Sequence, residues 1–302
     1  MTAEWFYFAL ISSVIISGVN IIDKILISDF KIPPLVYVLV ISATSIMPLV
    51  TLFFFQLTAL PLTVLAFTIL VGFVRIYYTL PYFKALTIEE VSRVVPILQL
   101  TPVFVLILSS LILHEALAAQ DYVAFGLLVL GGTLFAIRLS TGIRLSLAFY
   151  LMILSSFLLA VYSVALKYLF SMQDFYTIFI WVQIAGFITF FQFIPLRPFR
   201  NSLVTTYKIT NRKIGVILVA EQALAYVAIF AYNYAIAHGP ITLISAVGAT
   251  QPLFVLAFAT ILSYRFPRVL REELARLDIA LKVLGLFAIF AGTYILASFG
   301  SL

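Results

Sequence analysis

The chain has 302 residues, of which 64% are apolar and only 10% are charged, with a net charge of +6 and no cysteine. A typical soluble domain is roughly half apolar and about one quarter charged, so this composition excludes a soluble globular protein and predicts an integral membrane protein. The lack of cysteine excludes disulfide-stapled folds and thiolate metal sites, and the high apolar fraction excludes intrinsic disorder.

A helix needs about 20 apolar residues to cross the hydrocarbon core of a bilayer. The runs are continuously apolar rather than alternating, which disfavours a membrane barrel of strands. Pro33, Pro61 and Pro240 come at or near span starts, whereas Pro102 and Pro252 fall inside spans, where kinks are expected. We predict an all-α membrane protein with ten transmembrane helices, at 4–27, 33–55, 61–83, 91–113, 121–138, 146–169, 174–195, 214–237, 242–263 and 279–299.

Only two connections between the spans are long. Residues 196–213 carry five basic residues and no acidic residue. Residues 264–278 carry Leu270, Leu274 and Leu277 at helical spacing. The second segment is compatible with a short interfacial helix and equally with a solvated linker.

The distribution of basic residues predicts the orientation of the chain. Sixteen of the eighteen Lys and Arg residues lie in or beside the odd-numbered connections, and only Lys167 lies beside an even-numbered one. Lys and Arg accumulate in cytoplasmic loops of membrane proteins. We therefore expect the odd connections in the cytoplasm and both termini outside.

The sequence repeats itself in chain order. The Phe-Tyr, Ser-Ser and Lys pattern from Phe6 to Lys24 returns from Phe149 to Lys167 at an offset of 143, and the motif 101–106 returns as 251–256 at an offset of 150. Each half, 1–140 and 145–302, holds five predicted spans, so the second half must enter the membrane upside down. Inverted repeats are typical of secondary transporters, although a duplicated scaffold would give the same pattern.

These features resemble the drug/metabolite transporter superfamily, and the EamA-type proteins in particular. The resemblance is carried by the five-plus-five plan, the Lys ending the first helix of each half, the segment Tyr82-Phe-Lys-Ala-Leu86, and the run from Pro102 to His114-Glu115 before a Gly-rich fifth span. It implies a ten-helix bundle whose central cavity is lined mainly by helices 1, 3, 4, 6, 8 and 9 and closes alternately at each end.

Two features depart from the family pattern. The repeat partner of Glu115 is Arg265 rather than an acidic residue. Members of the superfamily usually have cytoplasmic termini, whereas the basic residues of this chain place them outside.

Two charged residues lie well inside predicted spans and are candidate site residues, because a charge near the bilayer centre is costly. Arg75 lies about 12 Å from the end of the third span, and Glu221 lies about 10 Å from the start of the eighth span, at the same membrane face. A pair between them across the cavity is geometrically allowed. It would bind substrate or a proton, or it would be a structural pair that fixes helix register.

Further candidates for substrate or proton binding are polar residues in or near the equivalent helices of the two halves. Each also has an ordinary explanation: interhelical hydrogen bonds for the amides, interfacial location for the tyrosines, and snorkelling for the lysines. These candidates are Gln99, Gln251, Asn20, Asn233, Tyr78, Tyr82, Tyr232, Lys24 and Lys167.

The sequence favours a secondary transporter that moves a small polar or amphipathic metabolite by alternating access. A lipid or lipid-linked-sugar flippase in the same fold is the alternative, and an intramembrane acyltransferase-type enzyme is the third reading. There is no nucleotide-binding phosphate loop and no zinc-protease motif, so we expect no enzyme activity, no catalytic residue, no metal and no cofactor. The expected partners are a small-molecule metabolite, the lipid bilayer, and a proton or counter-substrate, but no nucleic acid. We expect a monomer or weak homodimer in a prokaryotic cell (inner) membrane.

Overall fold

The computed structural model describes residues 4–28, 30, 32–49, 56–86, 88, 95–136, 146–209, 212–262 and 276–299. Within these ranges the protein is helical, with thirteen α-helices, a 3₁₀ helix at Val95–Leu100, a short 3₁₀ segment at 47–49 and no strand. The all-helical architecture follows from long apolar runs, because a backbone in lipid must satisfy its hydrogen bonds internally.

The first half contains six α-helices and the 3₁₀ helix. They are α1 (Glu4–Ser28), α2 (Pro34–Thr44), α3 (Leu62–Tyr77), α4 (Thr79–Leu86), the 3₁₀ helix Val95–Leu100, α5 (Thr101–Ile112) and α6 (Ala119–Ala136).

The second half contains seven α-helices. They are α7 (Leu147–Met172), α8 (Phe175–Phe193), α9 (Arg197–Ile209), α10 (Arg212–His238), α11 (Ile241–Gly248), α12 (Gln251–Leu262) and α13 (Arg276–Phe299).

Ten apolar helical stretches coincide with the ten predicted spans. Six are long and apolar enough to cross a membrane: Glu4–Asp23, Leu62–Ala85, Leu147–Met172, Phe175–Phe193, Ile214–His238 and Ile241–Phe258. Four are shorter: Leu35–Leu49, Ile97–Ile112, Ala119–Leu134 and Ala280–Leu296.

The long basic connection contains a helix that sequence reasoning did not predict. Helix α9 is amphipathic: Phe199 is buried and stacks on Phe193 of α8 with ring centroids 4.7 Å apart, whereas Arg200 is exposed. A helix with one apolar and one basic face is typical of a membrane interface. In the other long connection, 264–278, residues 264–275 lie outside the described residues.

Prolines mark the starts and breaks of the helices. Pro33, Pro61 and Pro240 are the N-cap residues of α2, α3 and α11. Pro102 and Pro252 occupy the second positions of α5 and α12, so the fourth and ninth spans are each interrupted immediately before the repeated motif. These interruptions free backbone groups from helical hydrogen bonds and are a common feature of binding sites in transporters.

Packing joins the two halves of the chain closely. Helix α1 packs against α10 and α12, α6 packs against α13, and α7 packs against α4 and α5. The main apolar core combines residues of both halves, including Trp5, Val105 and Leu128 with Ile178 and Ile244. This close packing also brings together side chains from helices of both halves, namely α2, α3, α7, α8 and α10.

Candidate functional site

Arg75 lies near the end of α3 and is only 5% exposed. Its Nη1 atom donates a hydrogen bond to Ser45 Oγ at 3.0 Å, and its Cζ atom lies 6.0 Å from the ring centroid of Tyr226. A Cβ atom at Gly186 would lie 2.9 Å from the same Nη1. The guanidinium is therefore held by a hydroxyl, an aromatic face and the bare backbone of α8, which together offset the loss of water.

Glu221 lies on α10 and is 2% exposed. Its Oε2 atom accepts a hydrogen bond from Gln222 Nε2 at 2.8 Å. Gln222 in turn accepts a hydrogen bond at its Oε1 atom from Thr44 Oγ1 at 2.8 Å. The carboxylate is thus connected to the C-terminal end of α2 through one amide.

Helix α2 links the two charged residues. Arg75 donates a hydrogen bond to Ser45, and Glu221 is connected to Thr44 through Gln222. Two adjacent residues at the end of α2 are therefore hydrogen-bonded, directly or through one amide, to the two charged side chains. The two described side chains form no direct ion pair with each other. Both side chains are buried, and a role of either in substrate or proton binding stays a prediction.

Aromatic and amide groups surround the guanidinium on its other side. Arg75 interacts electrostatically with Tyr78 and Tyr162. The Tyr162 hydroxyl donates a long hydrogen bond of 3.5 Å to Asn233 Oδ1. Asn233 is 1% exposed, and its Nδ2 atom has no hydrogen-bond partner among the described residues. A buried amide donor with no partner is available to a ligand.

Two further hydroxyl contacts complete this cluster. The hydroxyls of Ser163 and Tyr232 lie 3.5 Å apart, and Ser155 Oγ donates to the carbonyl oxygen of Tyr78 at 2.8 Å. The name Arg75 cluster is used below for Arg75, Tyr78, Tyr162, Tyr226, Tyr232 and Asn233. Its members come from the third, sixth and eighth spans.

Sequence reasoning missed two members of the Arg75 cluster. Tyr162 and Tyr226 lie inside apolar spans, and a tyrosine there is indistinguishable from a packing residue when only charges are weighed. The signal that could have identified them is helical spacing. Tyr226 lies seven residues before Asn233, so these two share one side of α10, whereas Glu221, five residues before Tyr226, lies about 140° away around the helix.

Asp23 was also missed. It lies in α1 directly before Lys24, which the sequence analysis treated as the end of the span. Its Oδ1 atom is buried without a hydrogen-bond partner among the described residues, and it interacts electrostatically with Glu221.

The two predicted glutamines lie at the helix breaks. Gln99 belongs to the 3₁₀ helix and is 8% exposed. Gln251 is the first residue of α12, and its backbone carbonyl accepts a hydrogen bond from Ser17 Oγ at 3.2 Å. At the repeat offset of 150 Gln251 corresponds to Thr101 rather than to Gln99, and neither glutamine side chain joins the Arg75 cluster in the described part of the chain.

Asn20 and Tyr82, two further candidates of the first half, form no hydrogen bond with Arg75 in the part of the chain that the structure describes. Asn20 of α1 is exposed. Tyr82 of α4 is half-buried and packs edge-on against Phe83 with centroids 5.1 Å apart. The side chain of Lys24 lies outside the described residues.

Lys167 stabilises a helix end. Its Nζ atom donates hydrogen bonds to the carbonyl oxygens of Ile236 at 2.8 Å and Gly239 at 2.9 Å, at the C-terminus of α10. Cations are favourable at this end of a helix because unpaired carbonyls gather there. These hydrogen bonds give Lys167 a structural role at the end of α10, and a role in transport stays a prediction.

Glu115 stabilises the neighbouring helix start. Its Oε2 atom accepts hydrogen bonds from the backbone N of Thr242 at 3.2 Å and from Thr242 Oγ1 at 2.6 Å. His114 precedes it with a φ of 52°, a left-handed turn that ends the fourth span. Glu115 and Lys167 together hold the connection between α10 and α11.

The described residues contain no group of three or more His, Asp or Glu side chains arranged to hold a metal ion. A surface groove of about 450 Å³ runs along the face of α10, lined by Arg212, Gly215, Val216, Val219, Ala220 and Ala223. It does not include the members of the Arg75 cluster.

The model of the EamA-like transporter family matches residues 3–137. Residues 3–137 of the chain are therefore similar to the EamA-like transporter family. This family is part of the drug/metabolite transporter superfamily, so the resemblance drawn from the sequence is confirmed. The protein is an integral, multi-pass membrane protein, and the family that its first half matches is a family of transporters.

Comparison with solved structures supports the fold. A protein of known crystal structure superimposes with a TM-score of 0.69 at 13% sequence identity, covering 97% of each chain. At this identity the likeness concerns the fold alone. No curated protein matches the chain.

Proposed function

We propose that this EamA-like protein is a secondary transporter that moves a small polar or amphipathic metabolite by alternating access. The observation that carries the proposal is the Arg75 cluster, in which a buried guanidinium from the first half faces tyrosines and an amide from the second half. A structural scaffold would gain stability from an apolar residue at this place, since a buried charge is costly in lipid.

The proposed architecture is a pair of inverted five-helix repeats, 1–140 and 145–302, in a prokaryotic cell membrane. It is supported by the ten apolar helices and by the equivalent breaks before Thr101 and Gln251. Repeats of opposite orientation supply two related conformations that expose one central site to opposite sides in turn.

The chemistry of the cluster favours a substrate with an anionic or strongly hydrogen-bonding group. A guanidinium binds carboxylates and phosphates in a bidentate geometry. The unpartnered Nδ2 atom of Asn233 offers an additional hydrogen bond without first breaking another. The aromatic faces of Tyr162 and Tyr226 can pack against an apolar part of the same molecule.

A ligand-stabilisation screen on purified protein tests this function. Amino acids, carboxylates, nucleotides, sugars and lipid analogues are compared by their effect on Tm, and compounds that raise Tm are then tested for uptake into proteoliposomes. The variant Arg75→Gln removes the buried charge, and Arg200→Gln removes an exposed charge on α9 as the matched control.

We expect a soluble metabolite to raise Tm in the wild type and in Arg200→Gln but not in Arg75→Gln, with uptake lost in the same variant. A response to lipid analogues alone would instead support the flippase alternative. Full uptake by Arg75→Gln would remove the cluster from the mechanism.

A further inference from the structure

A second polar group, separate from the Arg75 cluster, occurs where α1, α2 and α10 meet. The Oδ1 atom of Asp23 is buried and unpartnered, and the hydroxyl of Tyr37, whose side chain is only 1% exposed, is unpartnered too. In the described part of the chain, the Glu221 side chain has one hydrogen bond, which it accepts from Gln222. Native proteins rarely leave buried polar atoms unsatisfied, so each calls for an explanation.

The packing of α1 against α10 brings the two carboxylates to neighbouring levels. The rings of Phe8 and Tyr234 lie 4.4 Å apart, and Ser12 Oγ donates to the carbonyl oxygen of Ala228 at 2.8 Å, so the helices run antiparallel. Continuing this register at 1.5 Å per residue leaves Asp23 and Glu221 offset along the helix axes by only about 3–6 Å. The charges of Asp23 and Glu221 also influence each other.

Tyr37 closes the group from the side of α2. Its ring lies 5.7 Å from that of Phe83 and belongs to one apolar cluster with Leu26 of α1 and Ile214 of α10. Its hydroxyl interacts electrostatically with both carboxylates. Three oxygen groups therefore border an apolar cluster built from the ends of four helices, where water is scarce and a bound cation would be the natural counter-charge.

We propose that Asp23, Glu221 and the Tyr37 hydroxyl bind one monovalent cation, either Na⁺ or the ammonium group of an amine. Carboxylate and hydroxyl oxygens are suitable ligands for a hard cation and equally for the N–H donors of an ammonium group. Two buried negative charges without such a partner would be costly, and acidic side chains within membrane helices mark ion pathways.

The cation site connects to the Arg75 cluster through side chains of α2. Glu221 binds Gln222, Gln222 binds Thr44, and the next residue, Ser45, binds Arg75. A cation that repositions Glu221 can therefore act on the guanidinium through the end of α2. Its use as a coupling ion rests on the proposed transport function, whereas its binding is testable without transport.

The test measures Tm of the purified full chain at fixed pH and ionic strength in sodium chloride, ethylammonium chloride and choline chloride. Choline is too bulky and has no N–H donor, so it controls for ionic strength. The variants are Asp23→Asn, Glu221→Gln and Tyr37→Phe, with Asp174→Asn as the control that removes an exposed carboxylate elsewhere.

We expect Na⁺ or ethylammonium, at about ten times its Kd, to raise Tm by roughly 3 °C over choline. A response to Na⁺ alone assigns an inorganic ion, and a response to ethylammonium alone assigns an amine. Asp23→Asn and Glu221→Gln should abolish the response, Tyr37→Phe should weaken binding about tenfold, and Asp174→Asn should retain it.

Equal Tm values in all three salts, or an undiminished response in folded Asp23→Asn, would overturn the proposal. The variant Arg75→Gln distinguishes a failure of the cation site from a failure of the proposed transport function. Arg75→Gln should lose the substrate response and keep the cation response, so that either proposal can fail alone.

Discussion

A guanidinium within a membrane protein is stable only where neighbouring groups replace the water that it has lost. Arg75 obtains these groups from three other helices: the Ser45 hydroxyl at the end of α2, the bare backbone of α8 at Gly186, and the ring of Tyr226 on α10. The position of the charge therefore depends on side chains that are far apart in the sequence, and small changes around it should alter binding more than folding.

Gly186→Ala tests this dependence. The added Cβ would lie 2.9 Å from Arg75 Nη1 and 3.0 Å from Ser45 Oγ, so the flexible guanidinium must move aside. We expect substrate binding to weaken by at least about tenfold while Tm changes little, because the end of an arginine side chain can shift at low cost. Isothermal titration with the substrate found in the screen measures the change. Gly126→Ala is the control, since a Cβ there meets no atom within 4 Å, and equal binding in the two variants would contradict the prediction.

Asp174 offers a test of local stability at the residue immediately before the apolar helix Phe175–Phe193. It caps α8 by accepting hydrogen bonds from the backbone N of Thr177 at 2.9 Å and from Thr58 Oγ1 at 2.8 Å. Burial acts to raise the pKa of Asp174, but the hydrogen bonds from Thr177 and Thr58 outweigh it and hold the pKa below its ordinary value. The charged form thus stabilises the fold at neutral pH, and this contribution is lost as the pH falls through the lowered pKa.

We expect Asp174→Ala to lower the unfolding free energy by about 1 kcal/mol at pH 7, with a smaller deficit at pH 3. Asp174→Asn keeps a capping oxygen and should cost less than the alanine variant at pH 7. Thermal unfolding in detergent across this pH range measures both, and an alanine deficit that grows toward acid pH would contradict the assignment.

The sequence could predict part of this site. Charges are so rare inside the spans that Arg75 and Glu221 could be recognised at once, and both are buried. Their partners could not be recognised, because Thr44 and Ser45 look like ordinary polar residues near the end of a helix. Which helix ends face each other is decided by packing across the bundle, and a single sequence does not reveal it.

At the scale of helices, the interruptions of the fourth and ninth spans determine how closely the two halves approach. A Cβ on Gly132 of α6 would overlap the carbonyl oxygen of Ala249, between α11 and α12. The break in the ninth span therefore packs directly on the backbone of the fifth span, and neither backbone has a flexible end that could give way.

Gly132→Ala should destabilise the protein by roughly 1–3 kcal/mol, because the obstacle is backbone rather than a side-chain tip. Gly126→Ala, on the same helix and without a neighbour, should be neutral or stabilising by up to about 1 kcal/mol. Detergent-solubilised protein is compared by thermal unfolding. A Tm of Gly132→Ala at or above that of Gly126→Ala would show that α6 and the ninth-span break do not pack in this way.

The connection between α10 and α11 depends on two charged side chains, Glu115 and Lys167. Glu115→Gln leaves the side-chain shape but weakens the hydrogen bonds to Thr242, and we expect a loss of about 1–2 kcal/mol. When Thr242→Val is already present, Glu115→Gln should lower the unfolding free energy by less, since the hydroxyl partner of Glu115 is absent. A double-mutant cycle by thermal unfolding measures this coupling, and strict additivity would contradict the contact.

At the scale of the whole molecule, the long, continuously apolar runs predicted where the ten apolar helical stretches of the described structure lie, because lipid permits few alternatives to a spanning helix. It did not predict α9, whose composition is mainly polar. That helix is stabilised by the packing of Phe199 on Phe193, a tertiary contact. The basic residues of α9 count toward the predicted cytoplasmic side in either case.

The orientation of the molecule is a separate prediction, which rests on the distribution of Lys and Arg. A green fluorescent protein fused to the C-terminus should stay dark, and alkaline phosphatase fused there should be active, because the terminus lies outside. Fusions to the connection at 196–213 should give the opposite pair of signals. A fluorescent C-terminal fusion would show that the chain follows the usual family orientation instead.

Alternating access at the Arg75 cluster is the central claim, and the lack of cysteine in the chain allows a direct test. A single cysteine replaces Asn233, and a membrane-impermeant maleimide is applied to either side of sealed proteoliposomes. We predict labelling from each side in turn and protection by the substrate found in the screen. Labelling from neither side, or from one side without protection by substrate, would contradict the account.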